Sequence, residues 1–178
     1  MDGALPSPTG RDGFAVVNNN ANGNKIDSFL ERTIAYKADF DPSTGQVDST
    51  MEITLHNTAP TTGFPDYVID NLIGLPAGSN RTLLSVYSPL ELTGVTIDGE
   101  FAEASIQTEA GWNVYSLFLV IPSESESTIA FTFSGTIDAD EYSLVVRPQP
   151  LPQPDQYVID VSGADVSYEG QITRRTVL

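Results

Sequence analysis

His56 is the chain's single histidine and so the natural place to look for proton transfer or metal ligation. A Ser-His-Asp arrangement needs that imidazole beside a nucleophile and a carboxylate. No Gly-x-Ser-x-Gly elbow occurs in the chain. Ile53 and Leu55 alternate with His56, so the imidazole is expected to point outward beside the Asn57 loop, without a catalytic role. Asp39, Asp41 and Ser43 stand at alternate positions, as hard-cation ligands often do, and Asp48 follows. Asp39, Asp41 and Asp48 are therefore the calcium candidates. Gly45 falls one place later than an EF-hand requires, however, and Thr50 occupies the position of the bidentate glutamate. A plain hairpin turn explains the same residues, and the expectation is no metal and no cofactor. Asp138, Asp140 and Glu141 form a second acidic cluster, expected to be a solvated loop.

Trp112 and Tyr115 are the residues to weigh as a sugar-stacking platform. In an extended strand they lie on opposite faces, so they do not form one flat surface. Trp112 shares its face with Val114, Phe118 and Val120; Tyr115 shares the other with Leu117, Leu119 and Ile121. Both faces are apolar, which predicts a core tryptophan in a central strand. Tyr67, Tyr87 and Tyr142, near loops, are the remaining aromatics available for a glycan. Asn80-Arg81-Thr82 matches the N-glycosylation pattern, a motif common by chance. Among 24 acidic residues some carboxylate pair meets in any fold, so a glycosidase pair is not legible in sequence. No catalytic residue is assigned.

The elements that would position these residues read as strands. Ile34, Tyr36, Ala38 and Phe40 alternate, as do Val47, Ser49, Met51, Ile53 and Leu55, with Asp41-Pro42-Ser43-Thr44-Gly45 between them. That is a hairpin. Phe14–Val17 predicts a short strand, Asn18–Asn24 a loop, and Ile26, Phe29 and Leu30 a short helical turn. Strands are expected over 82–88, 92–97, 101–108, 112–121, 128–134, 142–147 and 157–161, with one more after Val166. Asp98-Gly99 suits a type I′ turn. Pro148-Gln149-Pro150-Leu151-Pro152-Gln153-Pro154 is extended and poor in donors, and predicts a crossover between sheets or an edge. About nine short strands with brief loops predict an all-β, antiparallel sandwich, immunoglobulin-like in general architecture, with little or no helix. Residues 1–12 read as a flexible lead-in and 13–178 as one domain.

Composition narrows the setting. A chain of 178 residues with 40% apolar content can bury one good core. A formal charge of −16 repels phosphate backbones and anionic lipid, which argues against nucleic acid as a partner. The absence of cysteine excludes disulfides, thiolate nucleophiles and thiolate-bound metals. The longest wholly apolar run, Leu117–Ile121, is too short to span a bilayer as a helix. No leader pattern follows Met1.

Several segments taken together carry a family resemblance. Asn22-Gly23-Asn24-Lys25-Ile26-Asp27-Ser28-Phe29-Leu30-Glu31-Arg32 precedes the strand of Ile34 and Tyr36. Asn57-Thr58-Ala59-Pro60 and Gly63-Phe64-Pro65-Asp66-Tyr67-Val68 follow, then Val86-Tyr87-Ser88-Pro89, Asp98-Gly99 and Arg147-Pro148-Gln149-Pro150. In this order they resemble the C-terminal β-rich portion of the bacterial family termed domain of unknown function 4012, over about residues 10–161. The resemblance implies a fragment of a membrane-anchored protein of Gram-positive bacteria, lying outside the membrane, with the anchor upstream. It brings no catalytic residue or cofactor. It implies a non-catalytic interaction or spacer module of the cell envelope, with an unknown protein or an envelope glycan as partner. The alternatives are a glycan-binding module and a hydrolase of glycans or peptides.

Overall fold

Alternation of buried and exposed side chains is strictest along two neighbouring stretches, Leu30–Asp41 and Gln46–Asn57. In the computed structural model, which describes residues 10–71, 73–138 and 142–178, they form the predicted hairpin. They are two of thirteen strands among the described residues. In chain order these are β1 (Asp12–Asn20), β2 (Leu30–Asp41), β3 (Gln46–Asn57), β4 (Asn80–Ser88), β5 (Glu91–Ile97), β6 (Glu100–Phe101) and β7 (Ser105–Glu109). Then come β8 (Trp112–Ile121), β9 (Ser125–Thr136), β10 (Leu144–Arg147), β11 (Gln156–Ser162), β12 (Val166–Gln171) and β13 (Thr176–Val177). Among the described residues helix is confined to a 3-10 turn, Ile26–Phe29, and one short helix, α1 (Asp66–Ile69).

The strands form two sheets that pack as a sandwich. The first runs β13-β10-β1-β4-β8-β7 and the second β12-β11-β2-β3-β9-β5-β6. Period-2 alternation sends one face of each sheet inward. Phe14, Val16, Leu84, Val86, Leu117 and Leu119 of the first sheet meet Ile34, Met51, Ile53, Leu55, Phe131 and Ile159 of the second. Each such side chain contributes about 1.5–3 kcal/mol when fully buried.

The all-β sandwich stands, but the sheets are not purely antiparallel. β1 runs parallel to β10, with Asp12 opposite Leu144, and β2 runs parallel to β11, with Gln156 opposite Thr33. Parallel neighbours need a long connection, and here both partners come from the last quarter of the chain. The proline-rich segment carries the chain from β10 in the first sheet to β11 in the second, the crossover its composition predicts. The two-sheet architecture is as far as this topology goes; the strand order adds nothing for the immunoglobulin-like detail.

Three local readings change. The strand expected over 101–108 breaks after Phe101 and resumes at Ser105, so β6 stays in the second sheet and β7 joins the first. Asn18–Asn20, expected in a loop, continue β1, because Asn18 finds partners inside the sandwich. The 1–12 lead-in falls mostly outside the described residues, but its last residue, Asp12, is a buried part of β1. The Asp98-Gly99 turn has both residues at positive φ, 51° and 85°, as type I′ requires. The 58–79 connection holds α1 and a small separate core of Ile26, Ala59 and Ile69, and Phe29 packs edge-on against Phe64 at 5.1 Å.

Candidate functional site

A broad cleft opens at the end of the sandwich where the β2–β3 turn meets the β11–β12 turn. It has a volume of about 990 Å³ and is lined by Gly10, Arg11, Phe40, Pro42, Asp138, Tyr142, Ser143, Gly163–Val166, Val177 and Leu178. Phe40 and Tyr142 give it aromatic walls, their rings 5.1 Å apart. Backbone contact fixes the shape. Gly163 has φ of +80°, and a β-carbon there would sit 1.9 Å from the Phe40 carbonyl oxygen. Only glycine fits. The Asp138 N–H donates to the Gly10 carbonyl at 3.2 Å, closing the other side. A mixed cleft of this size with one arginine, two carboxylates and two aromatic rings suits a small polar ligand or a chain end.

Behind the cleft lies a buried polar group. The Asp12 carboxylate accepts from the Tyr36 and Tyr142 hydroxyls, both at 2.6 Å, and from the Gly13 N–H at 2.7 Å. Burial raises the Asp12 pKa, and the three hydrogen bonds oppose that rise. Burial and the Asp12 charge push both phenols up as well, so both hydroxyls keep their protons. This node joins β1 of one sheet to β2 of the other.

A second node lies further along the interior. Arg32 and Asp155 pair through two hydrogen bonds, Nε to Oδ1 at 2.7 Å and Nη2 to Oδ2 at 2.6 Å, with both side chains essentially unexposed. Arg32 Nη1 also donates to Asn18 Oδ1 at 2.8 Å, and Nη2 to the Val16 carbonyl at 3.3 Å. The Tyr157 hydroxyl donates to Asp155 at 3.0 Å. Gln149 of the crossover bonds the Asn18 backbone in both directions at 2.9 Å, standing in for a strand neighbour that proline denies.

The residues singled out in sequence disperse. His56 points outward as expected, with Nδ1 at 3.5 Å from a Glu31 carboxylate oxygen and both side chains about half exposed. Asp39 and Asp48 face each other across the β2–β3 ladder on the outer face of the second sheet, beside a shallow depression that also holds Lys37. Asp39 accepts from the Ser162 hydroxyl at 2.7 Å and Asp48 from Gln46 Nε2 at 3.3 Å. Asp41 is used in the turn. It accepts from the Ser43 hydroxyl and N–H at 2.7 and 2.8 Å and from Thr44 Oγ1 at 3.0 Å, which holds its carboxyl below the usual range. Among the described residues no three His, Cys, Asp or Glu side chains gather as a metal site. Asp140 and Glu141 of the second acidic cluster lie outside the described residues; Asp138 lines the cleft.

Trp112 is buried, but not in the space between the sheets. Tyr115, Leu117, Leu119 and Ile121 take the inner face of β8, and Trp112 lies on the outer face, where a β-carbon added to Gly13 would come within 3.2 Å of its ring. Along the same outer face Phe118 and Val120 are exposed, and the Arg81 guanidinium lies 4.9 Å from the Phe118 ring centre. The tyrosines do not converge. Tyr67 is exposed on α1, Tyr87 donates to Glu109 at 2.8 Å on the outer face of the first sheet, and Tyr142 lines the cleft. Asn80 is wholly buried in β4, so its glycosylation pattern is inaccessible in the folded chain. Sequence reasoning missed Asp12, Arg32 and Asp155. The available signal for Arg32 was a charged residue in phase with Leu30, Ile34 and Tyr36 on the inward face.

No family model matches the chain, and no curated protein matches it. Among solved structures it is similar to a candidate nutrient-binding protein of Legionella pneumophila, at 7% identity and a TM-score of 0.51, over 85% of this chain and 55% of that one. It also matches an M1 zinc metallopeptidase of Deinococcus radiodurans at 10% identity and a TM-score of 0.40, over 74% of this chain and 32% of that one. The first likeness shows a shared fold; the second is too loose to carry an argument. The chain spans about half the length of the first protein and a third of the second. No helix among the described residues is long and apolar enough to cross a membrane.

Proposed function

We propose that this chain is a non-catalytic extracytoplasmic interaction or spacer module of a bacterial cell-envelope protein. The observation that carries the reading is the use of its buried charges. Asp12, Arg32 and Asp155 are the charged residues in the buried set of described residues, and each is held by three or more hydrogen bonds to protein groups. Their bonding capacity joins the two sheets, which leaves ligand contact to the surface. The cysteine-free composition and the resemblance to the β-rich portion of domain of unknown function 4012 support the envelope setting.

A second reading is favoured by the cleft: a module that binds envelope polysaccharide. Phe40 and Tyr142 offer apolar ring surface, and Arg11, Asp138, Asp165 and Ser143 offer hydrogen bonds to sugar hydroxyls. The test is co-sedimentation of the purified chain with isolated Gram-positive envelope fragments, with the released sugars and peptides followed in parallel. Saturable uptake with no release is the expected result, and uptake lost in Asp165→Ala would assign it to the cleft. Release of sugars or peptides by the chain would overturn the non-catalytic reading.

A further inference from the structure

Four asparagines and an aspartate gather where the β1–β4 ladder ends, far along the sandwich from the cleft. The ladder pairs Asn20 with Thr82, and the Ala21 N–H donates to the Arg81 carbonyl at 2.9 Å. That register sets Asn22 opposite Asn80. Asn22 Nδ2 donates to the Ser79 carbonyl at 3.2 Å, and Asn80 Nδ2 donates to Asp27 Oδ1 at 3.0 Å. Both acceptors are oxygens without protons, so both amide orientations are fixed by their partners. The other end of each amide is then a carbonyl oxygen. Asn22 Oδ1 and Asn80 Oδ1 are buried and have no hydrogen-bond partner, in residues only 6% and 0% exposed. Two unpaired buried acceptors in one loop cluster are costly and call for a partner. The Asp27 carboxylate in the same cluster is largely desolvated. The nearby positive charge that acts on it is Arg32, which is already matched by Asp155.

What the two orphaned amide oxygens lack is a donor or a positive charge. We propose that Asn22, Asp27 and Asn80 form a calcium site that clasps the β1–β2 connection to the start of β4. Oxygen-only ligation selects a hard cation; magnesium demands a stricter octahedron than asparagine side chains on loops supply. A single carboxylate with amide oxygens places the affinity in the weak range of extracellular modules, a dissociation constant of about 0.1–1 mM. Neighbouring contacts extend the clasp. Asn20 Nδ2 donates to Asn24 Oδ1 at 2.9 Å, and Asn24 Nδ2 donates to the Asp70 carbonyl at 2.6 Å, so ordering this cluster also orders the 58–79 segment.

Calorimetric titration of the full chain with calcium chloride, with thermal melting in parallel, tests the proposal. One site per chain is expected, and at 10 mM calcium a rise in Tm of about 3–11 °C for a domain of this size. Magnesium should give a smaller rise. Asp27→Asn should abolish both signals, and Asn80→Ala should do the same. The double variant Asp39→Asn with Asp48→Asn should retain them, since those carboxylates lie elsewhere. Near-UV circular dichroism of Asp27→Asn establishes that it is folded. An ordered water in place of the ion would show as no heat and no shift in the wild type, which overturns the proposal. So would a calcium response that persists in folded Asp27→Asn.

Discussion

The two polar nodes inside the sandwich solve the same task with opposite charge accounting. At Arg32 and Asp155 the cation and anion cancel, and the guanidinium, carried by the second sheet, donates to four oxygens from the first sheet and the crossover. At Asp12 there is one anion and no cation, held by two phenols and one N–H. A matched pair is sensitive to loss of one member, because the survivor is a buried charge without a counter-ion. A lone anion can instead be relieved by a proton. The difference teaches that the first node should respond to mutation and the second to pH.

The largest effect should come from breaking the pair. Asp155→Ala strands Arg32 and should cost ~3–5 kcal/mol in urea unfolding. Replacing both partners by apolar residues, Arg32→Met with Asp155→Leu, should cost less than Asp155→Ala alone, and a larger cost would show that Asn18 and Gln149 matter more than the charge. Next comes the second node. Tyr142→Phe removes one hydrogen bond to a carboxylate and should cost ~1.5–3 kcal/mol by the same measurement.

The pH response should separate the nodes further. Asp12 has a raised carboxyl pKa in the folded chain, against an ordinary value of about 3.8. The folded chain holds a proton that the unfolded chain has released. That stabilisation is complete below the unfolded value and is lost as pH rises through the folded one. Asp12→Asn removes the dependence, so wild-type stability should fall relative to the variant across that window in acid-range urea titrations. Asp41 has the opposite sign: its pKa is lowered, so its stabilisation is present above the unfolded value and lost as pH falls. It is fully exposed, and Asp41→Ala should give the smallest shift in unfolding midpoint of the series.

Sequence carried the parts of this fold that are decided locally. The β2–β3 hairpin, the strand from Trp112 to Ile121, the Asp98-Gly99 turn and the proline-rich crossover follow from period-2 alternation and turn chemistry within a few residues. What stayed hidden depends on partners far away. Asn18 reads as loop because asparagine favours turns, yet Arg32 and Gln149 hold it in a strand. Asp12 reads as part of a polar lead-in, yet Tyr36 and Tyr142 draw it inside. Trp112 is buried as expected but on the outer face of its sheet, since alternation says which residues share a face and not which face is covered. The cleft is assembled from three connections, the residues just before β1 and the end of the chain, so no local pattern announces it.

The parallel pairings have a consequence for how the chain is made. β10 lies between β1 and β13, and β11 between β2 and β12, so neither sheet gains its last members until residues beyond 144 are present. Early in synthesis the ribosome has released both central hairpin strands, but β1 and β2 each expose an open hydrogen-bonding edge awaiting residues more than a hundred positions downstream. Such long-range closure is slow. A chain that completes late stays threadable for longer, and it also needs protection from edge-to-edge association during that interval.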